Sequence, residues 1–226
     1  MLIVIPARGG STRIPKKNIY KICDKPLIEF TFDQLNVIKH KYPVYLSSDD
    51  KEILKFSSKF EKINILERPQ HLATNISTTE SALIHCIEQI NCDVLPEWIM
   101  TLPPTSPFRK SSTIQSFIDM SMLVDKSIDC IMSVSKNYGD FWCYRDSELR
   151  RLFPDSPRRQ QDREPLLEEN SAIYITRTKT LIENKSILGT RVFAQEIPLI
   201  EALDINNMSD IFMAEAILAK QNKHEI

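Results

Sequence analysis

The feature that most constrains the fold is a short apolar run, Leu2 to Ile5, which leads directly into a basic loop. The run is rich in β-branched residues, too short for a helix and without polar alternation. This pattern predicts a strand that is buried on both faces, as in the middle of a parallel sheet. The sequence therefore indicates an α/β fold that is organised around this strand.

The loop after this strand, residues 8–18, predicts a phosphate site. Gly9 and Gly10 let the backbone turn tightly and point N–H groups at an anion. A solvated surface loop is the alternative, but four cations within ten residues stand out in a chain with a net charge of −1. The loop has neither a Gly-Lys-Ser/Thr ending nor a G-x-G-x-x-G pattern, so it is not a Walker or dinucleotide loop. The four cations are Arg8, Arg13, Lys16 and Lys17.

The rest of the chain alternates between strand and helix patterns, which predicts a mostly parallel sheet with helices on both faces. Ligands of such sheets bind at the carboxyl ends of the strands, so residues 8–18, 47–50 and 103–109 are expected to share one crevice. In segment 103–109, three prolines favour a rigid turn. Arg109 is expected to add a cation to the crevice there. The expected strands are 44–46, 63–66, 98–102, 128–134, 172–175, 191–194 and 197–200. The expected helices are 26–38, 50–60 with Asp50 at its cap, 78–90, 111–123 capped by Ser111 or Ser112, and 209–220.

The alternation breaks at residues 138–168, which contain the aromatic segment Phe141–Tyr144. An excursion of this length with exposed-looking aromatics predicts an arm that covers the site or packs on a partner. We therefore expect a single domain over residues 1–226 with a dimerisation or lid excursion, and a homodimer.

Composition bounds the function. The near-neutral charge predicts no nucleic-acid or membrane partner, and no apolar run is long enough to cross a bilayer. The five cysteines form no C-x-x-C pair and are odd in number, which predicts buried free thiols in a reducing compartment and hence a cytoplasmic location. The four histidines lack metal-ligand spacing, so a zinc site is not expected.

Four separated segments resemble the CMP-sialic acid synthetase (acylneuraminate cytidylyltransferase) family, including legionaminate and pseudaminate cytidylyltransferases. They read IPARGGS…IPKKN from Ile5, PTSPFR from Pro104, RRQ…ENSAIYI from Arg158 and LDIN…DIFMAE from Leu203. Together they span nearly the whole chain in the family's order. The resemblance implies a Rossmann-like nucleotidyltransferase that joins CTP to a sialic-acid-type 2-keto-3-deoxy sugar acid, with Mg²⁺ as cofactor and pyrophosphate as product.

The resemblance, together with the chemistry of the loops, assigns roles to individual residues. In-line attack on the α-phosphorus needs positioning and charge neutralisation, for which Arg8, Lys17 and Asp204 are the catalytic candidates. The nucleotide-binding candidates are Arg8, Gly9, Gly10, Ser11, Arg13, Lys17, Asn18, Arg68 and Thr79. The sugar-binding candidates are Thr105, Ser106, Arg159, Gln160 and Asn170. The metal candidates are Asp204 and Asn206.

Three departures from the family's pattern bear on substrate and metal. The usual Ser-Lys-Gly reads Ser11-Thr12-Arg13, the usual Gln is Pro103, and the second Asp of Asp-x-Asp is Asn206. Asn206 predicts weaker Mg²⁺ binding because it lowers the charge of the metal site by one. A Kdo-type or other sugar nucleotidyltransferase and a non-catalytic nucleotide-binding protein are the alternatives. The segments that begin at Arg158 and Glu169 favour the nonulosonic acid enzyme.

Overall fold

The computed structural model describes residues 1–38, 42–90 and 94–222. His40, Cys92 and His224 were counted in the composition and lie outside these residues. Within the described part of the chain, no helix has the length and apolar character needed to cross a membrane.

A seven-stranded sheet forms the centre of the molecule, and two short hairpins lie outside it. The strands are β1 (Leu2–Pro6), β2 (Lys21–Ile22), β3 (Lys25–Pro26), β4 (Val44–Ser48), β5 (Ile63–Glu67), β6 (Trp98–Thr101), β7 (Cys130–Asn137), β8 (Trp142–Arg145), β9 (Glu148–Arg151), β10 (Leu166–Arg177) and β11 (Val192–Glu196). The helices are α1 (Leu27–Asn36), α2 (Lys51–Ser57), α3 (Thr79–Gln89), α4 (Ser111–Leu123), α5 (Thr178–Asn184) and α6 (Met208–Asn222).

The main sheet is mostly parallel, as predicted. Its order is β11-β7-β10-β6-β1-β4-β5, and only β10 runs antiparallel to its neighbours β6 and β7. Strand β1 lies between β6 and β4, and Leu2 to Ile5 are at most 2% exposed. The prediction of a strand buried on both faces is confirmed.

Helices cover both faces of the sheet. Since alternate residues of β1 point to opposite faces, they pack in two different apolar clusters. Ile3 and Ile5 pack in one apolar cluster with residues of α1, α2 and α4. Leu2 and Val4 pack in a second cluster with residues of α3 and α5. The Rossmann-like layering expected from the sequence is therefore present.

Some expected element boundaries were wrong. Residues 197–200 form no strand, and the Glu201 N–H instead closes a turn onto the carbonyl of Pro198 at 2.9 Å. Helix α2 ends at Ser57 rather than near residue 60, although Asp50 caps its start as predicted. Neither predicted serine caps α4. Its first free N–H, on Lys110, donates to Glu201 Oε2 at 2.9 Å, whereas the Ser111 hydroxyl donates to the carbonyl of Gln34.

The cysteines differ in their surroundings. Cys86 and Cys130 are fully buried, and burial raises the pKa of each thiol to about 12. Cys23 is exposed because it lies in the turn between β2 and β3, so the prediction of a buried thiol was wrong there.

The segment at 138–168 contains the β8–β9 hairpin, which forms a sheet of its own. Asp140 fixes its base by accepting hydrogen bonds from Arg151 at 2.7 and 2.9 Å and from Arg163 at 3.3 Å. The hydrogen bonds from Arg151 are the main reason that the pKa of Asp140 is lowered. The hairpin exposes large apolar side chains, with Trp142 50% and Tyr144 75% exposed.

Candidate active site

Two adjoining cavities form a crevice at the carboxyl ends of β1 and β6. Their volumes are about 180 and about 320 Å³, and they share Pro6, Arg8 and Pro103. This is the edge of a parallel sheet where ligands are expected. The first cavity is further lined by Ser11, Thr12, Arg13, Lys17, Asn18, Pro104 and Thr105. The second is further lined by Arg68, Asn75, Ser77, Thr78 and Thr79.

Arg8 stands at the junction of the two cavities. Its Nη1 donates to the carbonyl oxygen of Thr74 at 2.9 Å, and its own carbonyl accepts from Asn18 Nδ2 at 2.9 Å. Asn18 is buried and joins the two ends of the 8–18 loop, so the position of Arg8 is fixed from within the loop. The same loop is anchored through fully buried Ile14, which packs in an apolar cluster with Ile211 of α6.

Lys17 and Arg13 reach from the loop to the C-terminal segment, residues 204–206. The Lys17 ammonium donates to the carbonyl oxygen of Ile205 at 2.7 Å, and Arg13 Nη2 donates to Asn206 Oδ1 at 2.9 Å. Burial lowers the pKa of Lys17, with Arg13 and Arg8 adding to the decrease and Asp204 opposing it. These side chains therefore form one electrostatically coupled cluster.

Lys16, the fourth cation of the loop, is not part of this cluster. Its ammonium pairs with Glu52 of α2 at 2.5 Å, and this hydrogen bond is the main cause of the raised pKa of Lys16. The expectation that all four cations face phosphate therefore does not hold for Lys16.

The two glycines of the loop play different parts. The Gly9 N–H donates to Asp49 Oδ1 at 2.9 Å, so it is engaged by a carboxylate rather than directed at an anion as expected. A Cβ at Gly9 would lie 2.6 Å from Asp50 Oδ2 and 2.7 Å from Asp50 Cβ. A Cβ at Gly10 would meet no atom closer than the carbonyl oxygen of Ala73 at 4.0 Å. Gly9 is therefore required by close packing against the start of α2.

The second cavity is built around Arg68, which follows β5 and is 5% exposed. Its Nε donates to Ser47 Oγ at 3.0 Å and its Nη2 to the carbonyl oxygen of Ser47 at 2.8 Å. Burial is the main cause of the lowered pKa of Arg68, and Asp49 opposes the decrease. Thr79, the first residue of α3, also lines this cavity, next to the cap residue Thr78. Ser47 and Asp49 belong to the 47–50 segment that was expected to share the crevice, although neither was assigned a role there.

The predicted sugar-binding residues do not converge in this crevice. Thr105 lines the first cavity, and its carbonyl oxygen accepts from the Ile205 N–H at 2.8 Å. Ser106 is fully buried, and its hydroxyl has no hydrogen-bond partner among the described residues. Arg159 and Gln160 are exposed on the arm, where Arg159 Nε lies 3.8 Å from Asp162 Oδ2.

Asn170 lies on β10 with both ends of its amide occupied. Its Oδ1 accepts from Ser133 Oγ at 2.6 Å, and its Nδ2 donates to Ser135 Oγ at 2.8 Å. Both serines belong to β7, so Asn170 cross-links the two strands beside the irregular pairing that begins at Glu169.

Arg109 was expected to add a cation to the crevice and is instead an internal residue that is 2% exposed. It donates to the carbonyl oxygen of Ala172 at 2.6 Å and to Thr31 Oγ1 at 2.8 Å. Burial lowers the pKa of Arg109 to about 9. It joins the 103–109 segment to α1 and β10 and does not line the described cavities.

The donor set at the predicted metal site is small. The Asn206 Nδ2 donates to Asp204 Oδ2, and Asp210 is engaged by the backbone N–H groups of Asn206 and Asn207 at 2.7 and 2.8 Å. Among the residues that the structure describes, no group of three or more His, Cys, Asp or Glu side chains could hold a metal. One carboxylate fits Mg²⁺ when water and substrate phosphate supply most of its oxygen ligands.

Comparison with known sequences identifies a family and several relatives that are similar to this chain. A family model described as "Cytidylyltransferase" matches residues 2–196. The CMP-N,N'-diacetyllegionaminic acid synthase of Legionella pneumophila is 29% identical over an alignment that covers 96% of each chain. The N-acylneuraminate cytidylyltransferase of Streptococcus agalactiae serotype III is 28% identical, over 98% of this chain and 56% of the relative. The chain thus spans about half the length of the streptococcal relative.

Solved structures share the fold at low sequence identity. A CMP:2-keto-3-deoxy-manno-octonic acid synthetase complexed with CTP superposes with a TM-score of 0.71 and 14% identity, over 97% of this chain and 98% of that chain. The 4-diphosphocytidyl-2C-methyl-D-erythritol synthase of Anaerococcus prevotii gives a TM-score of 0.67 and 14% identity, over 96% and 95% of the two chains.

Proposed function

Because the chain belongs to the cytidylyltransferase family, we propose that it transfers CMP from CTP to the anomeric hydroxyl of a nonulosonic acid, such as a sialic or legionaminic acid. The observation that carries this proposal is the basic crevice at the end of β1, where Arg8, Arg13 and Lys17 line one cavity. Relatives named for legionaminic acid and N-acylneuraminate support the choice of acceptor.

The reaction forms one bond and breaks one at the α-phosphorus of CTP. The anomeric oxygen attacks this phosphorus, the bond to the pyrophosphate oxygen breaks, and the hydroxyl proton passes to water. Arg8 and Lys17 offset the negative charge that grows on pyrophosphate, and their fixed positions mean that little reorganisation is needed. Arg13, Ser11 and Asn18 complete the triphosphate side, with Gly10 contributing backbone.

The second cavity is proposed to hold the nucleoside of CTP. Arg68, which is fixed by Ser47, and Thr79, at the start of α3, both line this cavity. Gly9 acts indirectly by letting the loop approach Asp50. A nucleoside in this cavity would bring the α-phosphorus near Arg8, which lines both cavities.

Mg²⁺ is proposed as the cofactor, held by Asp204 and the carbonyl oxygen of Asn206 with phosphate and water oxygens. When bound, it supplies charge neutralisation on the triphosphate. Asp204 is close enough to Lys17 to oppose the decrease in its pKa that burial causes, which supports a metal site next to the cations proposed to bind the triphosphate.

The sugar acid is proposed to be held by Thr105, Ser106, Arg159, Gln160 and Asn170. Since Ser106 is fully buried and the Asn170 amide is bonded to Ser133 and Ser135, these two contact the acid only after a local rearrangement. A guanidinium such as Arg159 matches a carboxylate through a bidentate pair. Because Arg159 and Gln160 are exposed on the arm, we propose a homodimer in which the arm reaches the partner's crevice. Sedimentation that shows only monomer at assay concentrations would contradict this assembly.

A cytoplasmic location is proposed as well. The described cysteines, Cys23, Cys86, Cys130 and Cys143, are free thiols, which a reducing compartment preserves. Recovery of the native protein from a periplasmic or secreted fraction would contradict it.

The direct test of the activity measures pyrophosphate release with CTP, Mg²⁺ and a panel of 2-keto-3-deoxy sugar acids. We expect release with a nonulosonic acid. Release only with Kdo would assign the chain to the Kdo-type reaction. No release with any acid, in the presence of CTP binding, would identify a non-catalytic nucleotide-binding protein.

A further inference from the structure

Two of the positions where this sequence departs from the family's pattern touch each other. Arg13 Nη2 donates to Asn206 Oδ1 at 2.9 Å, and Asn206 Nδ2 donates to Asp204 Oδ2. A cation, an amide and a carboxylate thus form a continuous chain that begins at Arg13 in the lining of the first cavity. We call this chain the Asn206 bridge.

A side-chain amide is suited to the middle of the bridge because it carries an acceptor and a donor on one rigid group. The two neighbours also define its orientation. The flipped amide would turn its NH₂ group toward the Arg13 guanidinium and its oxygen toward the Asp204 carboxylate, which is unfavourable on both sides. A carboxylate at this position would keep the contact with Arg13 but would repel Asp204.

The backbone under the bridge is held on three sides. The Asn206 N–H donates to Asp210 Oδ2 at 2.7 Å, and the Ile205 N–H donates to the carbonyl oxygen of Thr105 at 2.8 Å. The carbonyl oxygen of Ile205 accepts from the Lys17 ammonium at 2.7 Å, and the Ile205 side chain is fully buried. Asn206 is therefore a fixed point to which exposed Arg13 is attached.

The charge balance at the first cavity gives the bridge its consequence. The described residues that line this cavity include the cations Arg8, Arg13 and Lys17 and no carboxylate. Attachment to Asn206 holds Arg13 at the lining, so the cost of ordering this long side chain is met before a ligand arrives. Under the proposed function, a fixed cation here would neutralise phosphate charge that a divalent ion otherwise neutralises.

We propose that Asn206 is a positioning residue that fixes Arg13 and Asp204 together, so that Arg13 carries phosphate charge and CTP binds measurably without a divalent cation. The proposal rests on the proposed function, since it takes CTP as the nucleotide. It adds a physical reason for the co-occurrence of Arg13 and Asn206. The amide weakens the metal site and, in the same contact, fixes a cation that compensates for it.

The first experiment titrates CTP into the full-length protein in EDTA by isothermal calorimetry. We expect wild-type binding, and a loss of affinity of about tenfold or more in Arg13→Ala, because the lost contact is charge-assisted. Asn206→Ala should weaken binding by the same mechanism, and the double variant should bind no more weakly than Arg13→Ala alone. Lys16→Ala removes a cation of the same loop that pairs with Glu52, and it serves as the control with unchanged affinity.

The second experiment compares Asn206→Asp with wild type by titrating Mn²⁺, detected by electron paramagnetic resonance, and CTP in EDTA. A second carboxylate adds a hard oxygen ligand and repels phosphate, so Mn²⁺ affinity should rise and metal-free CTP affinity should fall, each by about tenfold. Melting temperatures verify folding. If Arg13→Ala fails to fold, Arg13→Lys, which keeps the charge but not the forked guanidinium, is measured in its place.

The outcomes separate this inference from the proposed function. CTP binding that requires a divalent cation in wild type, or additive effects of Arg13→Ala and Asn206→Ala, would overturn the bridge and leave the transfer reaction standing. Unchanged Mn²⁺ affinity in Asn206→Asp would also overturn it. CTP binding in neither EDTA nor Mg²⁺ would instead overturn the proposed function itself.

Discussion

The residues proposed to bind the nucleotide, here the nucleotide half, and those proposed to bind the sugar acid, here the sugar half, are organised differently. In the nucleotide half, Arg8, Lys17 and Arg68 each hold a hydrogen bond to a backbone carbonyl of the same chain. In the sugar half, Arg159 and Gln160 are exposed on an arm, and the Asn170 amide is occupied by serines of β7. The difference agrees with the proposal that one chain preorganises the nucleotide site, whereas the proposed sugar site requires an arm to move or a second subunit.

The origin of the difference lies in the connections. Arg8 and Arg68 follow closely after β1 and β5, so the sheet places them at one edge. The predicted sugar side chains come from three separate segments, of which the 138–168 arm has its own small sheet. Positions on a rigid sheet edge are defined by the fold, whereas positions on an arm depend on what the arm packs against.

The largest expected effect comes from Arg8→Ala, which breaks the nucleotide half at its centre. Removal of a preorganised charge partner commonly costs about 10²–10³-fold in turnover. We expect kcat/KM for CTP to fall by at least about tenfold and by at most about 10³-fold. The melting temperature should be unchanged. Lys16→Ala, from the same loop, is the matched control. Undiminished activity in Arg8→Ala would exclude its assigned role.

Gly9→Ala tests whether the loop geometry itself matters. The added Cβ meets Asp50 Oδ2 at 2.6 Å and Asp50 Cβ at 2.7 Å, so the loop or the start of α2 must shift. A displacement of catalytic groups by about 1 Å can lower kcat/KM by about 100-fold. Gly10→Ala keeps the N–H and has open space, so steady-state kinetics should show a clearly smaller loss. Equal losses in the two variants would contradict the packing argument.

Arg159→Ala sharpens the comparison from the sugar side. Loss of a charge-assisted pair with the sugar carboxylate should raise KM for the acid about tenfold and leave KM for CTP unchanged. Arg158→Ala is the control, because this neighbouring guanidinium is also exposed and lies 3.6 Å from Asp140. If both variants raise the KM for the acid equally, the effect belongs to the arm rather than to Arg159.

The smallest effect concerns the pH dependence of CTP binding. Burial lowers the pKa of Lys17, so its positive charge is lost at a lower pH than that of an exposed lysine. CTP affinity should therefore decrease on the alkaline side before ordinary lysines titrate, and Lys17→Arg should move this decrease to higher pH. Calorimetric titrations across the alkaline range measure it, with Lys16→Arg as control. An alkaline limb that Lys17→Arg leaves in place would assign the titration to another group.

The central layers of the fold were predictable because they depend on local patterns. The apolar run at Leu2 to Ile5 indicated the buried strand, and the basic loop after it indicated the crevice. The Asp50 cap also followed from a local preference, since an Asp before a helix accepts from its first free N–H groups. The cap of α4 did not, because Glu201 reaches Lys110 across 91 positions in the sequence.

The hairpins were not predictable, because their turns lack the usual residues. Tight hairpin turns with two left-handed residues favour Asn-Gly or Asp-Gly. Here Cys23 and Asp24 have φ of 48° and 66°, and Asp146 and Ser147 have φ of 51° and 67°. None of the 4 glycines of the chain lies in these turns. Because non-glycine residues adopt the left-handed conformation there, the sequence carries no glycine signal for either hairpin.

The individual contacts of the site could not be predicted from the sequence either. Four cations within one loop predicted a phosphate site, yet nothing local distinguishes Lys16, which pairs with Glu52, from Lys17, which reaches Ile205. The resemblance marked Arg13 and Asn206 as separate departures. Their contact depends on how α6 and the loop before it pack, which is a tertiary property.

The central claim is that the crevice joins CMP to a nonulosonic acid. The most direct measurement is phosphorus nuclear magnetic resonance of a reaction with CTP, Mg²⁺ and the acid. The account predicts a new phosphodiester signal that grows in equal amount with pyrophosphate and only when the acid is present. Release of pyrophosphate with free CMP as the product, or without any acid, would contradict it.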